Sequence, residues 1–144
     1  VVREVRDYFG DDLRFVFRHN PMGDEAAERA AEALEAVHAQ SPDLFNYART
    51  ELSRLCEDEE LDSRVIRRAA VDVGSNLPRL EKDIRQRTYL SRVHDDADDA
   101  LGMGLTSTPT FFIGDEIYEG HIESNAIIAA LEATRTAEIT TVGV

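Results

Sequence analysis

Few side chains in this sequence could carry out redox or metal chemistry. Cys56 is the only cysteine, so the chain can form no internal disulfide and no thiolate metal cluster. Its thiol precedes four acids at 57–60, and because negative charge disfavours the thiolate we expect an unreactive side chain. The chain has four histidines, His19, His38, His94 and His121. None has the HxxH or HExxH spacing that directs two rings at one metal ion, so we expect neither a metal nor another cofactor.

Two further groups have both a structural and a functional interpretation. His19 lies in an Arg-His-Asn-Pro turn after an apolar run, which predicts a turn-stabilising or exposed histidine, with a role on the substrate side as the alternative. The run from Asp95 to Asp99 contains four acids but lacks the glycine and the closing glutamate of an EF-hand loop. We therefore predict a solvated acidic face there.

Charge and length limit the possible partners. The formal net charge is −13, which argues against nucleic acid and anionic membranes as partners because both require a basic surface. No stretch approaches the roughly 20 apolar residues of a membrane span, so we predict no direct membrane insertion. The sequence opens on Val1 without Met and already in a helical rhythm, so we expect residue 1 not to be the natural start. The length predicts one domain over residues 1–136 with a tail over 137–144.

Residues 1–104 are predicted to form a helix, a strand and a long helical block. Apolar residues at helical spacing end at Gly10, and Leu13–Phe17 then alternates as a strand does. The helical block runs from about residue 24 to 104. Its predicted helix-capping residues are Asp24, Ser41, Asp62 or Ser63, and Asn76. The predicted apolar stripe of its last helix is Leu90, Val93, Ala97 and Leu101.

After residue 104 the period of the apolar pattern becomes that of a strand. Two short strands, 110–113 and 116–118, flank Gly114-Asp115, which is a two-residue hairpin signal. Phe111 and Phe112 then point to opposite faces of the sheet, as a sheet buried on both sides requires. A final helix is predicted to start at residues 123–124.

The most specific feature is a proline at the start of a strand. In Ser107-Thr108-Pro109-Thr110-Phe111 the proline removes a hydrogen-bond donor from a β-branched and aromatic strand. This run resembles the Thr-Pro-Thr-Phe strand of the DsbA-like thiol–disulfide oxidoreductases, a family with the thioredoxin fold whose proline there is cis. The order of elements is similar too, and the resemblance extends over nearly the whole chain.

The resemblance implies an α/β fold, with a thioredoxin-like sheet and an all-helical insertion between the first strand and the cis-proline strand. It implies that Ser107, Thr108 and Pro109 shape a groove for protein or peptide thiol substrates. It also implies an extracytoplasmic or periplasmic location. In that family, exchange proceeds through a mixed disulfide with the substrate.

Three departures from the family pattern matter. Residues 22–25 replace a histidine-rich stretch that the family often carries. The Cys-x-x-Cys pair of the family would lie upstream of Val2, with its second cysteine roughly two helical turns away, so we expect the chain alone to have no exchange activity. The central strand of the sheet is missing as well. We expect upstream residues to fill that slot, or the β-branched tail Ile139–Val144 of this chain or of a swapped partner.

Three functions stay open at this point. The first is thiol–disulfide exchange on protein thiols, with the redox cysteines outside this chain. The second is a binding or regulatory thioredoxin-fold domain without redox chemistry, appended to a membrane transporter, since similar domains occur at the end of some bacterial sodium/proton antiporters, or acting as a homodimer. The third is a glutathione-dependent transferase or isomerase of the same fold. The fold alone does not choose among them.

Overall fold

The computed structural model describes residues 1–141, and their side chains through residue 135. In chain order the elements are α1 (Val2–Phe9), a 3₁₀ turn (Gly10–Asp12), α2 (Glu25–His38), α3 (Pro42–Leu55), α4 (Ser63–Asp72), α5 (Leu77–Arg85), α6 (Leu90–Gly102), β1 (Phe112–Ile113), β2 (Glu116–Ile117) and α7 (Ser124–Thr141). The chain divides into two compact units. One is the helical unit, Arg18–Thr106, and the other combines residues 1–17 with the chain from Ser107 onward.

Helices α2 to α5 of the helical unit begin where the capping residues predict. The carboxylate of Asp24 accepts the backbone N–H of Ala27 at 2.7 Å, at the start of α2. Asp62 accepts the backbone N–H of Val65 at 3.0 Å, and Asn76 accepts that of Arg79 at 3.0 Å. Each bond satisfies a donor that has no partner within its own helix, which fixes the helix start. Ser41 precedes Pro42 at the start of α3, although its side chain makes no capping bond.

Helix α2 is the central helix of this unit, because it packs against α3, α4, α5 and α6. Its inner face is rich in alanine, with Ala33 and Ala36 at most 4% exposed, so neighbouring helices can approach closely. Leu80, Val65 and Val93 contribute the large side chains of the core and are each at most 2% exposed. Burial of this apolar surface is the main force that holds the helices together.

The predicted apolar stripe of α6 is correct at Val93 and wrong at Leu101. Leu101, predicted to face the core, is 76% exposed, while Val93 and Ala100 are buried. The third buried position of this helix is Asp96, at 1% exposure. A carboxylate that has partners inside the unit lies beside Val93 on the buried face, so this face is shifted from the predicted stripe toward Asp96 and Ala100.

The second unit contains the predicted hairpin. Strands β1 and β2 pair in antiparallel fashion, with Phe112 opposite Ile117, and Gly114 in the connecting turn has a φ of 62°. Helix α1 packs against α7, and α7 also contacts β1. Val5 and Ile127, each 5% exposed, lie in the apolar interior of this unit. Phe112 is 39% exposed and Phe111 is half-buried, so the prediction of a sheet buried on both sides is wrong for the side that carries Phe112.

Two predicted strands do not form. Leu13–Phe17 belongs to no strand, yet its side chains still alternate between half-buried and exposed positions. The reason is that a strand needs a hydrogen-bonded neighbour, and the described residues contain a sheet of β1 and β2 only. The tail is helical as far as Thr141, so Ile139–Thr141 does not fill a sheet slot; residues 142–144 lie outside the described range.

Candidate functional site

The loop before β1 presents the three residues that the sequence predicts to bind substrate. Ser107, Thr108 and Pro109 are all exposed, and the Thr108–Pro109 peptide bond is cis, the isomer that the family resemblance implies. We call residues 107–109 the proline loop. The hydroxyl-bearing side chains of Ser107 and Thr108 therefore belong to exposed residues.

Hydrogen bonds hold the proline loop and the hairpin beside it in one conformation. The Thr110 hydroxyl donates to the carbonyl of Ser107 at 2.8 Å, which closes the loop on its downstream side. The backbone N–H of Tyr118 donates to the carbonyl of Phe111 at 2.8 Å, which extends the pairing beyond β1. The loop is therefore attached to a hydrogen-bonded turn and hairpin.

The exit of the hairpin depends on a glycine. The Tyr118 hydroxyl donates to the carbonyl of His121 at 3.1 Å, and the ring passes directly over Gly120. A Cβ on Gly120 would collide with the ring and hydroxyl of Tyr118. Gly120 is therefore required for close approach of a side chain to the backbone.

Cys56 is poorly suited to nucleophilic chemistry. It follows the last residue of α3 and is an exposed, free thiol. Partial desolvation of the sulfur raises the pKa of Cys56 above its usual value, and the negative charge of Glu59 raises it further. Because the thiolate is the nucleophile, a raised pKa lowers reactivity. The expectation of an unreactive thiol agrees with this environment, although desolvation outweighs the acidic run as its cause.

His19 is buried, so of the predicted possibilities, a turn-stabilising or an exposed histidine, the exposed one is wrong. It is 4% exposed, and its Nε2 lies 2.8 Å from Oε1 of Glu35, where the ring N–H donates to the carboxylate. The ring also meets Phe45 edge-on, with centroids 6.2 Å apart. The hydrogen bond from His19 lowers the pKa of Glu35, against the opposing effect of burial. The pair therefore attaches the start of the helical unit to α2.

Helix α2 carries two more carboxylates on the same side as Glu35. Glu32, 1% exposed, accepts from Nε of Arg87 at 3.0 Å. Glu28 pairs with Arg87 and with His94, whose Nε2 is 2.9 Å from Oε2. The hydrogen bond from His94 lowers the pKa of Glu28, and that from Arg87 adds to the effect. We call Glu28, Glu32 and Glu35 the α2 carboxylate row.

The acidic run at 95–99 is not uniformly solvated as predicted. Asp96 points inward, where Oδ1 lies 2.6 Å from Nη1 of Arg18 and 3.3 Å from Nη1 of Arg92. Its Oδ2 accepts the backbone N–H of His19 at 3.0 Å. Asp95 and Asp99 are exposed, so the solvated interpretation holds for them. Asp96 is a structural carboxylate whose oxygens already have partners.

Sequence reasoning missed the α2 carboxylate row and Asp96. A signal was present: positions 28, 32 and 35 follow helical spacing, the same spacing that indicates a buried face. The partners come from positions distant in the chain, however, and no local pattern pairs them. No group of three or more metal-ligating side chains forms among the residues described.

Comparison with known proteins identifies the protein family to which this chain belongs. A family model described as thioredoxin matches residues 5–133, so the chain belongs to the thioredoxin family. Its fold is the thioredoxin-like α/β fold with a helical insertion, most of it helix and with a small two-stranded sheet.

The curated relatives have more specific names than the family model, because they are named as sodium/proton antiporters. The chain is 39% identical over 139 residues to "Na(+)/H(+) antiporter NhaA 1" of Mycobacterium sp. (strain KMS), a match over 93% of this chain and 22% of that protein. It is 33% identical over 136 residues to "Na(+)/H(+) antiporter NhaA" of Herminiimonas arsenicoxydans, over 92% of this chain and 20% of that protein. The chain thus spans about 22% of the length of the mycobacterial relatives. None of its described helices is long and apolar enough to cross a membrane.

Proposed function

We propose that this chain is a binding or regulatory thioredoxin-fold domain of a sodium/proton antiporter, and that the proline loop is its binding surface. The observation that carries the proposal is the match of 93% of this chain to about a fifth of relatives named as antiporters. In such a protein a separate transport region would move the ions, and this domain would bind extended protein segments at Ser107, Thr108 and Pro109. Residues 1–136 would form the domain, with residues from about 24 to 104 as its helical insertion.

The transport half of the proposal is tested with the complete natural polypeptide that carries this chain. Everted membrane vesicles from an antiporter-deficient bacterium that expresses it should show sodium-dependent proton exchange. Deletion of residues 1–144 should leave exchange measurable and change its rate or its dependence on conditions. A polypeptide that lacks exchange, or a deletion without any effect on it, would contradict the proposal.

The binding half is tested with carboxymethylated, permanently unfolded lactalbumin as the probe. Thr108 is exposed in the proline loop, so Thr108→Arg should weaken binding about tenfold or more by placing a long charged chain in the contact area. Thr88 is equally an exposed threonine but lies outside the loop, and Thr88→Arg is the matched control. Equal effects of the two variants, measured by fluorescence anisotropy, would exclude the loop as the binding surface.

Thiol–disulfide exchange is the second candidate, supported by the resemblance of residues 105–113 to the DsbA-like strand. The sulfur for it would come from outside this sequence, because Cys56 is the only cysteine and one thiol forms no internal disulfide. We expect no insulin reduction by this chain above background, and no change with Cys56→Ser. Activity of this chain that Cys56→Ser abolishes would contradict that expectation, whereas insulin reduction by the complete natural polypeptide, unchanged by Cys56→Ser, would support the second candidate over the first.

A further inference from the structure

A groove lies between α2, α4 and α5 of the helical unit, away from the proline loop in sequence. Its volume is about 610 Å³, within the range of roughly 300–1,000 Å³ that is typical of small-molecule sites. The floor is apolar throughout. The floor residues are Ala26, Leu61, Ile66, Leu77, Leu80 and Ile84.

The floor leaves apolar surface in contact with water. Ile66 and Leu80 are buried at 7% and 1% exposure and form the base of the groove. Leu61, Leu77 and Ile84 are only half-buried, so a ligand that covers them would remove further hydrocarbon from water. That transfer is favourable and roughly proportional to the area covered.

The rim of the groove differs from the rest of the molecule in charge. Four arginines lie on the rim, Arg29, Arg64, Arg67 and Arg85, beside three acids, Glu25, Asp62 and Glu81. The rim therefore has a slight excess of positive charge in a chain whose net charge is −13. Such a local reversal of sign favours an anionic ligand over a cationic one.

The rim arginines are able to exchange partners. Arg67 is 3.0 Å from Glu81, with both side chains well exposed, and Arg29 is 3.5 Å from the exposed Glu25. Exposed pairs of this kind contribute little to stability, so a ligand carboxylate can replace the protein carboxylate at low cost. Arg85 has no ion-pair partner among the described residues.

We propose that this groove binds a single-chain aliphatic carboxylate, with the hydrocarbon chain along the floor and the carboxylate at the rim beside Arg85. The guanidinium group matches a carboxylate because it donates two parallel hydrogen bonds. The apolar floor matches the alkyl chain, and the groove is large enough to hold it. This inference is independent of the proposed function, since none of the floor or rim residues belongs to the proline loop.

The test adds decanoate, below its critical micelle concentration, to the full chain. Binding is measured from the NMR chemical shifts of the backbone amides, because the chain has no tryptophan whose fluorescence could report it. Saturable shifts should centre on Leu77 and Ile84 at ligand concentrations below about 1 mM. Octanoate, decanoate and dodecanoate should bind progressively tighter, about fourfold per methylene. Decanol and decyltrimethylammonium should bind at least about tenfold more weakly than decanoate, because the former lacks the charge and the latter carries the wrong sign.

Variants separate the rim from the floor. Arg85→Gln should weaken decanoate binding about fivefold or more and leave decanol binding unchanged. Arg3→Gln is the matched control, because the Arg3 side chain is 91% exposed and lies outside the groove. Ile84→Ser should weaken binding of both ligands. The wild-type comparison of decanoate with decanol needs no variant, so the test stands if a variant fails to fold.

Several results would overturn the proposal. One is the absence of saturable binding, and another is equal binding of the anion and the cation. A third is an unchanged decanoate affinity in Arg85→Gln. A fourth is an acidic amphipathic helical peptide that shifts the same amides when decanoate does not, which would make the groove a peptide-docking site instead.

Discussion

At Gly120 the side chain of Tyr118 occupies the space that a Cβ would need. Gly120→Ala should therefore displace the ring, break the hydrogen bond to His121 and destabilise the chain by roughly 1–3 kcal/mol. Gly102 is the matched control, because nothing lies within 4 Å of a Cβ there. As the last residue of α6, it should tolerate alanine with a gain of up to about 1 kcal/mol. Urea unfolding measures both variants, and equal stability of Gly120→Ala and wild type would contradict the proposed close contact.

Glu35 makes stability depend on pH in a defined direction. Its pKa in the folded chain is below the usual 4.5 because His19 donates to it. A depressed pKa means that the ionised carboxylate favours the folded state. The contribution is therefore complete above about pH 4.5 and is lost as the pH falls through the folded pKa.

The corresponding variant is Glu35→Gln. At pH 7 it should cost roughly 1.5–3 kcal/mol, the value of a hydrogen bond to a charged group, and at pH 4 its loss of stability relative to wild type should be smaller. The exposed Glu57 supplies the control Glu57→Gln, which should change little at either pH. The measurement is urea unfolding at both pH values. A difference between Glu35→Gln and wild type that stays constant with pH would show that the pair does not act as described.

Among the elements, α6 shows how far a sequence pattern specifies a structure. The period of its apolar residues correctly predicts a helix. The predicted stripe is correct at Val93 but wrong at its end, because Asp96 faces the core and Leu101 faces solvent. Hydropathy ranks aspartate as the more exposed residue, and it contains no information about Arg18 and the backbone of His19, which make Asp96 favourable inside.

The segment Leu13–Phe17 shows a second limit. Its alternation is retained in the structure as alternating exposure, so the local conformation was predictable. Its pairing was not predictable. A strand forms only when a second segment lies beside it and shares hydrogen bonds, and the apolar pattern describes one segment alone. The proline loop and the hairpin, in contrast, depend on neighbouring residues, and sequence reasoning located both.

The position of α6 is testable through Asp96. Asp96→Ala removes the acceptor of the His19 backbone N–H and the partner of Arg18, so it should cost about 2 kcal/mol. Asp98→Ala is the control, because Asp98 is exposed on the same helix and should change stability by less than about 0.5 kcal/mol. Denaturant unfolding measures the free energy of unfolding of both variants. Similar small effects would mean that Asp96 faces solvent.

For the whole molecule, the helical unit Arg18–Thr106 contains its own core and its own helix caps. We therefore expect a fragment of residues 18–106 to fold alone, with a helical circular dichroism spectrum and one cooperative thermal transition. Its midpoint is expected below that of the full chain, since the fragment gains two free ends. A broad, non-cooperative transition would show that the helical unit depends on the remainder of the chain.

The order in which a ribosome delivers these residues has a consequence for the second unit. Helix α1 packs against α7, yet the two are separated by more than a hundred residues. The helical unit is complete before α7 is made, and its contacts are closer in sequence. Because contacts between distant residues form slowly and domains fold as they emerge, the helical unit should acquire its structure during synthesis. Helix α1 has no partner until α7 is made, so the second unit, which contains residues 107–109, should fold last.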